Sequence, residues 1–136
     1  MASPHSSEDD RARLLVVDDQ PTVRTSLRDL LSLEGYQVDE ASSGEEALAR
    51  FDDVRYDLLL IDVRMPGMDG PEVMRYLRRD HPDLPVVLLT AHASVDHAIT
   101  ADCLLKPFKI EDLIATVGRI LEESRQDGHD YPLSIS

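Results

Sequence analysis

Three short apolar runs constrain this chain more than anything else in it: Leu14 to Val17, Leu58 to Val63 and Pro85 to Thr90. Each is too short for a buried helix, and none alternates apolar with polar residues as a half-exposed strand would. Such runs read as strands covered on both faces, the situation of a parallel sheet. Parallel strands need crossovers, and the segments between these runs carry the helical period. From Pro21 onward Val23, Leu27, Leu30 and Leu31 recur on one face until Gly35 closes the helix. After Ser43, which with Glu46 makes a capping pattern, Ala47, Leu48 and Phe51 form a second stripe. Val73, Met74 and Leu77 form a third, and Ile110, Leu113, Ile114, Val117, Ile120 and Leu121 a last one reaching about Ser124. Tyr36 to Ala41 alternates like an edge strand, Cys103 to Lys106 makes a short fifth strand, and a weak helical stretch around Ser94 to Ile99 precedes it. Strands and helices in strict alternation predict an α/β fold: an open, doubly wound parallel sheet with helices on both faces and right-handed crossovers.

With 136 residues there is room for one such domain. The pattern places it at residues 13–124, between a polar leader, 1–12, and a tail, 125–136, both expected to be flexible. Lys and Arg number 14 against 27 Asp and Glu, a formal charge of −13, which repels a phosphate backbone and argues against direct nucleic-acid binding. Cys103 stands alone, so no intrachain disulfide can form. There is no secretory apolar core and no run long enough to span a bilayer, so the expected setting is the reducing cytoplasm, away from membranes.

In an open α/β sheet, ligands sit beyond the carboxyl ends of the strands. The first strand here ends at Asp18 and Asp19, the third at Asp62, the fourth at Thr90 and the fifth at Lys106. Three carboxylates gathered at one edge raise each other's pKa and cost stability, a penalty that a hard divalent cation removes. Magnesium suits a few carboxylates supplemented by water and a phosphate. Each residue also has a plainer reading. Asp18 and Asp19 could cap the helix that Pro21 opens, Thr90 could merely end a strand, and Lys106 could be a solvated charge. Asp62 has no such alternative, because a carboxylate inside Leu-Leu-Leu-Ile-Asp-Val must be paired or ligated. His92 and His97 lie off a common helical face and lack a third ligand, so they read as surface residues rather than a zinc set.

These pieces, in this order and spacing, resemble the receiver domain of bacterial two-component response regulators over about residues 12–124. The matching residues are Leu-Leu-Val-Val-Asp18-Asp19, Asp62 in Leu-Leu-Leu-Ile-Asp62-Val-Arg-Met-Pro-Gly-Met-Asp-Gly, Thr90 before Ala91, and Lys106-Pro107-Phe108. The resemblance implies a flavodoxin-like sheet of order 2-1-3-4-5. It makes Asp62 the acceptor of a phosphoryl group from a phosphohistidine of a sensor histidine kinase or phosphotransfer protein. It implies that Asp19 and Asp62 bind magnesium directly, Asp18 mainly through water, and Arg64 through its backbone carbonyl. It further implies that Lys106 holds a phosphoryl oxygen, that Thr90 moves toward the phosphoryl group, and that Lys106–Pro107 is a cis peptide. Arg64 and His92, each two residues past a site residue, fall where the family tunes phosphoryl lifetime. A phosphorylation-dependent dimer is also expected.

Two departures from the family bear on signalling. The position three before Lys106 is usually aromatic and coupled to the threonine; here it is Cys103. Only 15 residues separate Thr90 from Lys106, roughly six fewer than expected. A crossover limited to Ala91 to Ala101 predicts a shortened fourth helix and an altered output face. These departures keep a rival reading open, a phosphorylation-independent interaction module of the same fold. A small-substrate phosphatase would need a general acid near the nucleophile, and the sequence offers none. Ala-His-Ala-Ser-Val-Asp after Thr90 is similar to receivers of transcriptional regulators that carry ATPase and DNA-binding domains.

Overall fold

A computed structural model describes the backbone of residues 11–91 and 101–135, with side chains to residue 124. Strands β1 (Arg13–Val17), β2 (Gln37–Ala41), β3 (Leu58–Asp62), β4 (Val86–Thr90) and β5 (Asp102–Leu105) form one sheet in the order β2-β1-β3-β4-β5. Every pairing is parallel. Helices α1 (Pro21–Leu33), α2 (Gly44–Asp53), α3 (Gly70–Asp80) and α4 (Ile110–Ile135) are the four among the described residues. This is the doubly wound parallel sheet that the alternation of patterns predicts, in the flavodoxin-like order that the family resemblance implies. The expected short helix between β4 and β5 falls in residues 92–100, outside the described residues. The backbone of α4 stays helical to Ile135, where the apolar stripe predicts an end near Ser124. No helix among the described residues is long and apolar enough to cross a membrane.

Strand alternation distributes the core. Leu15, Val17, Leu59, Ile61, Val86 and Leu88 face α2 and α3 and pack with Ala47, Phe51, Val73, Met74 and Leu77. Leu14, Val16, Leu58, Leu60, Val87 and Leu89 face the other way, onto Leu27 and Leu31 of α1 and Leu113, Val117, Ile120 and Leu121 of α4. All five residues of β3 are buried, as are all five of β4. Each Leu or Ile so covered is worth about 1.5–3 kcal/mol, so neither central strand can slip in register without exposing its core.

Local chemistry sets where the helices begin. Ser43 accepts a hydrogen bond from the Glu46 amide through Oγ (3.1 Å), while Glu46 reaches back to the Ser42 amide (2.7 Å). Asp69 and Glu72 form a reciprocal capping box ahead of α3. Gly70 opens α3 against the end of β3, where a Cβ would lie 2.6 Å from the Asp62 carbonyl oxygen. Glycine is what lets the helix start so close to the strand end.

Candidate functional site at the carboxyl edge of the sheet

The strand order reverses between β1 and β3, and the polar strand ends gather there. Asp18, Asp19 and Asp62 each present a carboxylate oxygen, and the three oxygens lie within 4.8 Å of one another. Asp62 is the last residue of β3, in register with Leu89, and is almost wholly buried. Its Oδ1 lies 3.3 Å from the Lys106 ammonium. Lys106 directly follows β5, and its amide donates to the Thr90 carbonyl at 2.8 Å. The Lys106–Pro107 peptide is cis, as expected. Thr90 ends β4 and is buried.

Asp18 does not cap α1. The N-cap is Gln20, without a side-chain cap, and Asp18 Oδ1 instead accepts from the Gln20 amide at 2.9 Å. The Asp18 amide donates to the Ala41 carbonyl at 3.2 Å. Its second carboxylate oxygen, Oδ2, is buried and has no hydrogen-bond partner among the described residues. Burial raises the Asp18 carboxyl above its ordinary range, opposed by the Gln20 hydrogen bond and reinforced by Asp62. An orphaned, buried carboxylate oxygen costs about 1–3 kcal/mol or more unless something meets it. Two further carboxylates beside it make an all-oxygen donor set, which fits a hard divalent cation.

The remaining sequence candidates divide. The Arg64 amide points at Asp62 Oδ1 over a long 3.4 Å, and the Arg64 side chain is exposed on the loop after β3. Cys103 pairs with Leu88 in the sheet and is half-buried against the α2–α3 face of the core. Its thiol is pushed up by burial and by Asp102, so it does not have the character of a reactive thiolate. His92 lies outside the described residues.

One contact was not foreseen from sequence. Arg24, on α1, donates from Nη1 to the Asp18 carbonyl at 2.8 Å and from Nε to Glu40 Oε1 at 2.9 Å. The signal was present, because Arg24 precedes Leu27 and Leu31 by three and seven residues and so sits beside the apolar stripe of α1. A charge there needs a partner.

Comparison with known proteins decides the family. The profile of the response regulator receiver domain matches residues 14–118. The chain belongs to that family. It is 43% identical over 130 residues to the response regulator MprA of Mycobacterium leprae, covering 91% of this chain and 57% of the relative. It thus spans about half the length of the curated relatives it matches. Among solved structures, the chemotaxis response regulator CheY4 of Vibrio cholerae aligns over 81% of this chain and 98% of its own, with 34% identity and a TM-score of 0.76. TrrA of Thermotoga maritima, solved in complex with Mg2+ and BeF, aligns over 80% and 98%, with 36% identity and a TM-score of 0.74. The chain is a receiver domain of two-component signalling, a signalling protein rather than a conventional enzyme, with an acidic pocket suited to magnesium-dependent aspartate phosphorylation.

Proposed function

We propose that Asp62 is the phosphoacceptor of this receiver, charged by a phosphohistidine on a sensor histidine kinase or phosphotransfer protein in the cytoplasm. The observation that carries the reading is the meeting of three carboxylates within 4.8 Å with the Lys106 ammonium 3.3 Å from Asp62. An Asp62 carboxylate oxygen forms a bond to phosphorus as the P–N bond breaks, and the imidazole leaves with the bonding pair. Lys106 takes one phosphoryl oxygen, so charge accumulating in transfer meets a fixed cation instead of solvent. Thr90, from the end of the neighbouring strand, engages the phosphoryl group once it is in place.

Magnesium fits the donor set, and Asp18, Asp19, Asp62 and the Arg64 carbonyl would hold it. Bound there, it offsets carboxylate repulsion and the charge on the transferring oxygens. Arg64 and His92 tune how long the phosphoryl group persists, and Arg64→Ala and His92→Ala should each change that lifetime. Cys103 cannot supply the aromatic partner of Thr90, so the output face, including any phosphorylation-dependent dimer, works without that coupling.

The test is incubation with acetyl phosphate or phosphoramidate and magnesium, read by intact mass. A phosphoryl adduct on the wild-type chain that is absent from Asp62→Asn supports the reading. No adduct with magnesium present would overturn it in favour of a module that signals by binding alone.

A further inference from the structure

Arg24 joins three elements around the acidic pocket. Its guanidinium donates to the Asp18 carbonyl in the β1–α1 loop and to Glu40 on β2, while its own backbone belongs to α1. Glu40 in turn accepts from Arg28 through its other oxygen. The Arg24 and Glu40 side chains are only 17% and 20% exposed, so this is a sheltered pair rather than a solvated surface contact. We propose that Arg24 is a positioning residue for the cation site: by clamping the Asp18 carbonyl against Glu40, it fixes the peptide that aims the Asp18 and Asp19 carboxylates at Asp62. The inference rests on the reading of that cluster as a magnesium site.

The Asp18 carbonyl and the Asp19 amide belong to one rigid peptide plane. Turning that plane swings the Asp19 side chain, which is exposed and has no burial to restrain it. Like charge pushes the three carboxylates apart, so an unrestrained Asp19 would relax toward solvent. Three hydrogen bonds oppose this: the Asp18 amide to Ala41, the Gln20 amide to Asp18 Oδ1, and Arg24 to the Asp18 carbonyl. Only the last is donated by a side chain, and that side chain is tied in turn to β2. The planar fork of arginine serves two acceptors at once, which the single ammonium of lysine cannot reproduce at the same places. Arg28 shares Glu40 and the same charge, but among the described residues its guanidinium donates to Glu40 and to Asp29 of its own helix, away from the β1–α1 loop.

The experiment titrates Mg2+ into the whole chain by calorimetry, for wild type, Arg24→Ala, Arg24→Lys and Arg28→Ala. Melting of each protein without magnesium is recorded in parallel. Removing a group that orients a metal ligand weakens binding roughly tenfold, and that loss is expected for both Arg24 variants. Arg28→Ala should bind as wild type does. Arg24→Lys keeps the charge and the aliphatic stem, so it carries the test if Arg24→Ala fails to fold. A purely structural role would lower the melting temperature while leaving the magnesium affinity of Arg24→Lys unchanged, and that result overturns the proposal. So does equal weakening in Arg28→Ala. A wild-type chain that binds no magnesium overturns the proposed function and this inference together, whereas wild-type binding with unaffected Arg24 variants overturns the inference alone.

Discussion

The two edges of the sheet are built differently. On β2, Asp39 accepts from the Tyr56 hydroxyl at 2.6 Å and from Arg13 at 3.3 Å, while Glu40 accepts from Arg24 and Arg28. On β5 the corresponding tie among the described residues is one ion pair, Arg119 to Asp102 at 3.4 Å with both side chains about half exposed, and Leu105 points half into solvent. The contrast follows the site. The β1–β2 side supplies Asp18 and Asp19, whose mutual repulsion must be borne by the fold before any cation arrives, and rigid hydrogen-bonded neighbours bear it. The β5 side supplies Lys106, a point charge attracted to Asp62, which tolerates looser placement. Backbone amides and the Arg24 side chain together hold the acid half, whereas a backbone bond from Lys106 to Thr90 and the ion pair with Asp62 hold the cationic half.

The largest effect should come where the two halves meet, at the end of β3. Gly70→Ala would set a Cβ 2.6 Å from the Asp62 carbonyl oxygen and 3.1 Å from the Val63 Cα, both backbone atoms with little room to give. Overpacking of this kind costs about 3 kcal/mol, and since it displaces Asp62, magnesium binding should fall with stability. Urea unfolding checks the first and calorimetry the second. An unchanged midpoint would mean that the β3–α3 junction yields freely and does not anchor both halves. Asp18→Asn probes the acid half next, with opposite sign. Burial is the chief cause raising the Asp18 carboxyl, so the charged form strains the metal-free protein. Replacing it should stabilise that protein by about 2 kcal/mol, while abolishing any rise in melting temperature on adding magnesium. A loss of stability without magnesium would mean that Asp18 is satisfied in a way its orphaned Oδ2 does not suggest.

Much of this was legible beforehand because the informative residues were anomalous where they stood. Asp62 interrupts an apolar run, and Asp18 and Asp19 stop another, so composition marks the strand ends and topology brings them to one edge. Tyr36 to Ala41 reads as an edge strand from its alternation, and β2 is indeed an edge, with Val38 on the α1–α4 face and Asp39 tied to Tyr56. What the sequence could not supply were partners chosen by three-dimensional register. Arg24 is a charge beside an apolar stripe that the sequence reading passed over, and one of its two acceptors is a backbone carbonyl, which every residue carries. β5 begins one residue earlier than the apolar run suggests, leaving Lys106 beyond the strand, because pairing with Val87 and Leu88 sets its register. The α4 backbone passes Gly128 and Pro132, residues that ordinarily end a helix.

A smaller effect tests the β2 edge through pH. Burial and the bond to Asp39 push the Tyr56 hydroxyl far above the ordinary tyrosine value of 10.0. In the unfolded chain the same hydroxyl ionises near that ordinary value, so above it the folded state holds the extra proton. Stability from this group is therefore full below about pH 10 and is lost as pH rises further. Tyr56→Phe should cost about 1 kcal/mol at neutral pH by removing one hydrogen bond, and should flatten the alkaline decline. Urea midpoints measured from pH 7 to 11 give both quantities. Parallel curves for wild type and variant would show that the Asp39–Tyr56 tie does not distinguish this edge.

The smallest effect is expected at β5. Both members of the Arg119–Asp102 pair are about half exposed, and Arg119 is shared with Glu123 at 3.5 Å, so neither contact excludes water. Exposed pairs of this kind contribute about 0.2–1 kcal/mol and weaken as salt shortens the screening length. Arg119→Ala should shift the urea midpoint by less than the Tyr56→Phe change, and the shift should vanish in about 1 M salt, where the screening length is near 3 Å. A loss of 1 kcal/mol or more that survives high salt would mean that Arg119 clamps β5 as firmly as Arg24 and Tyr56 clamp β2. The two edges would then be equivalent, and the looser holding of Lys106 would need another origin than the fewer side-chain ties on its strand.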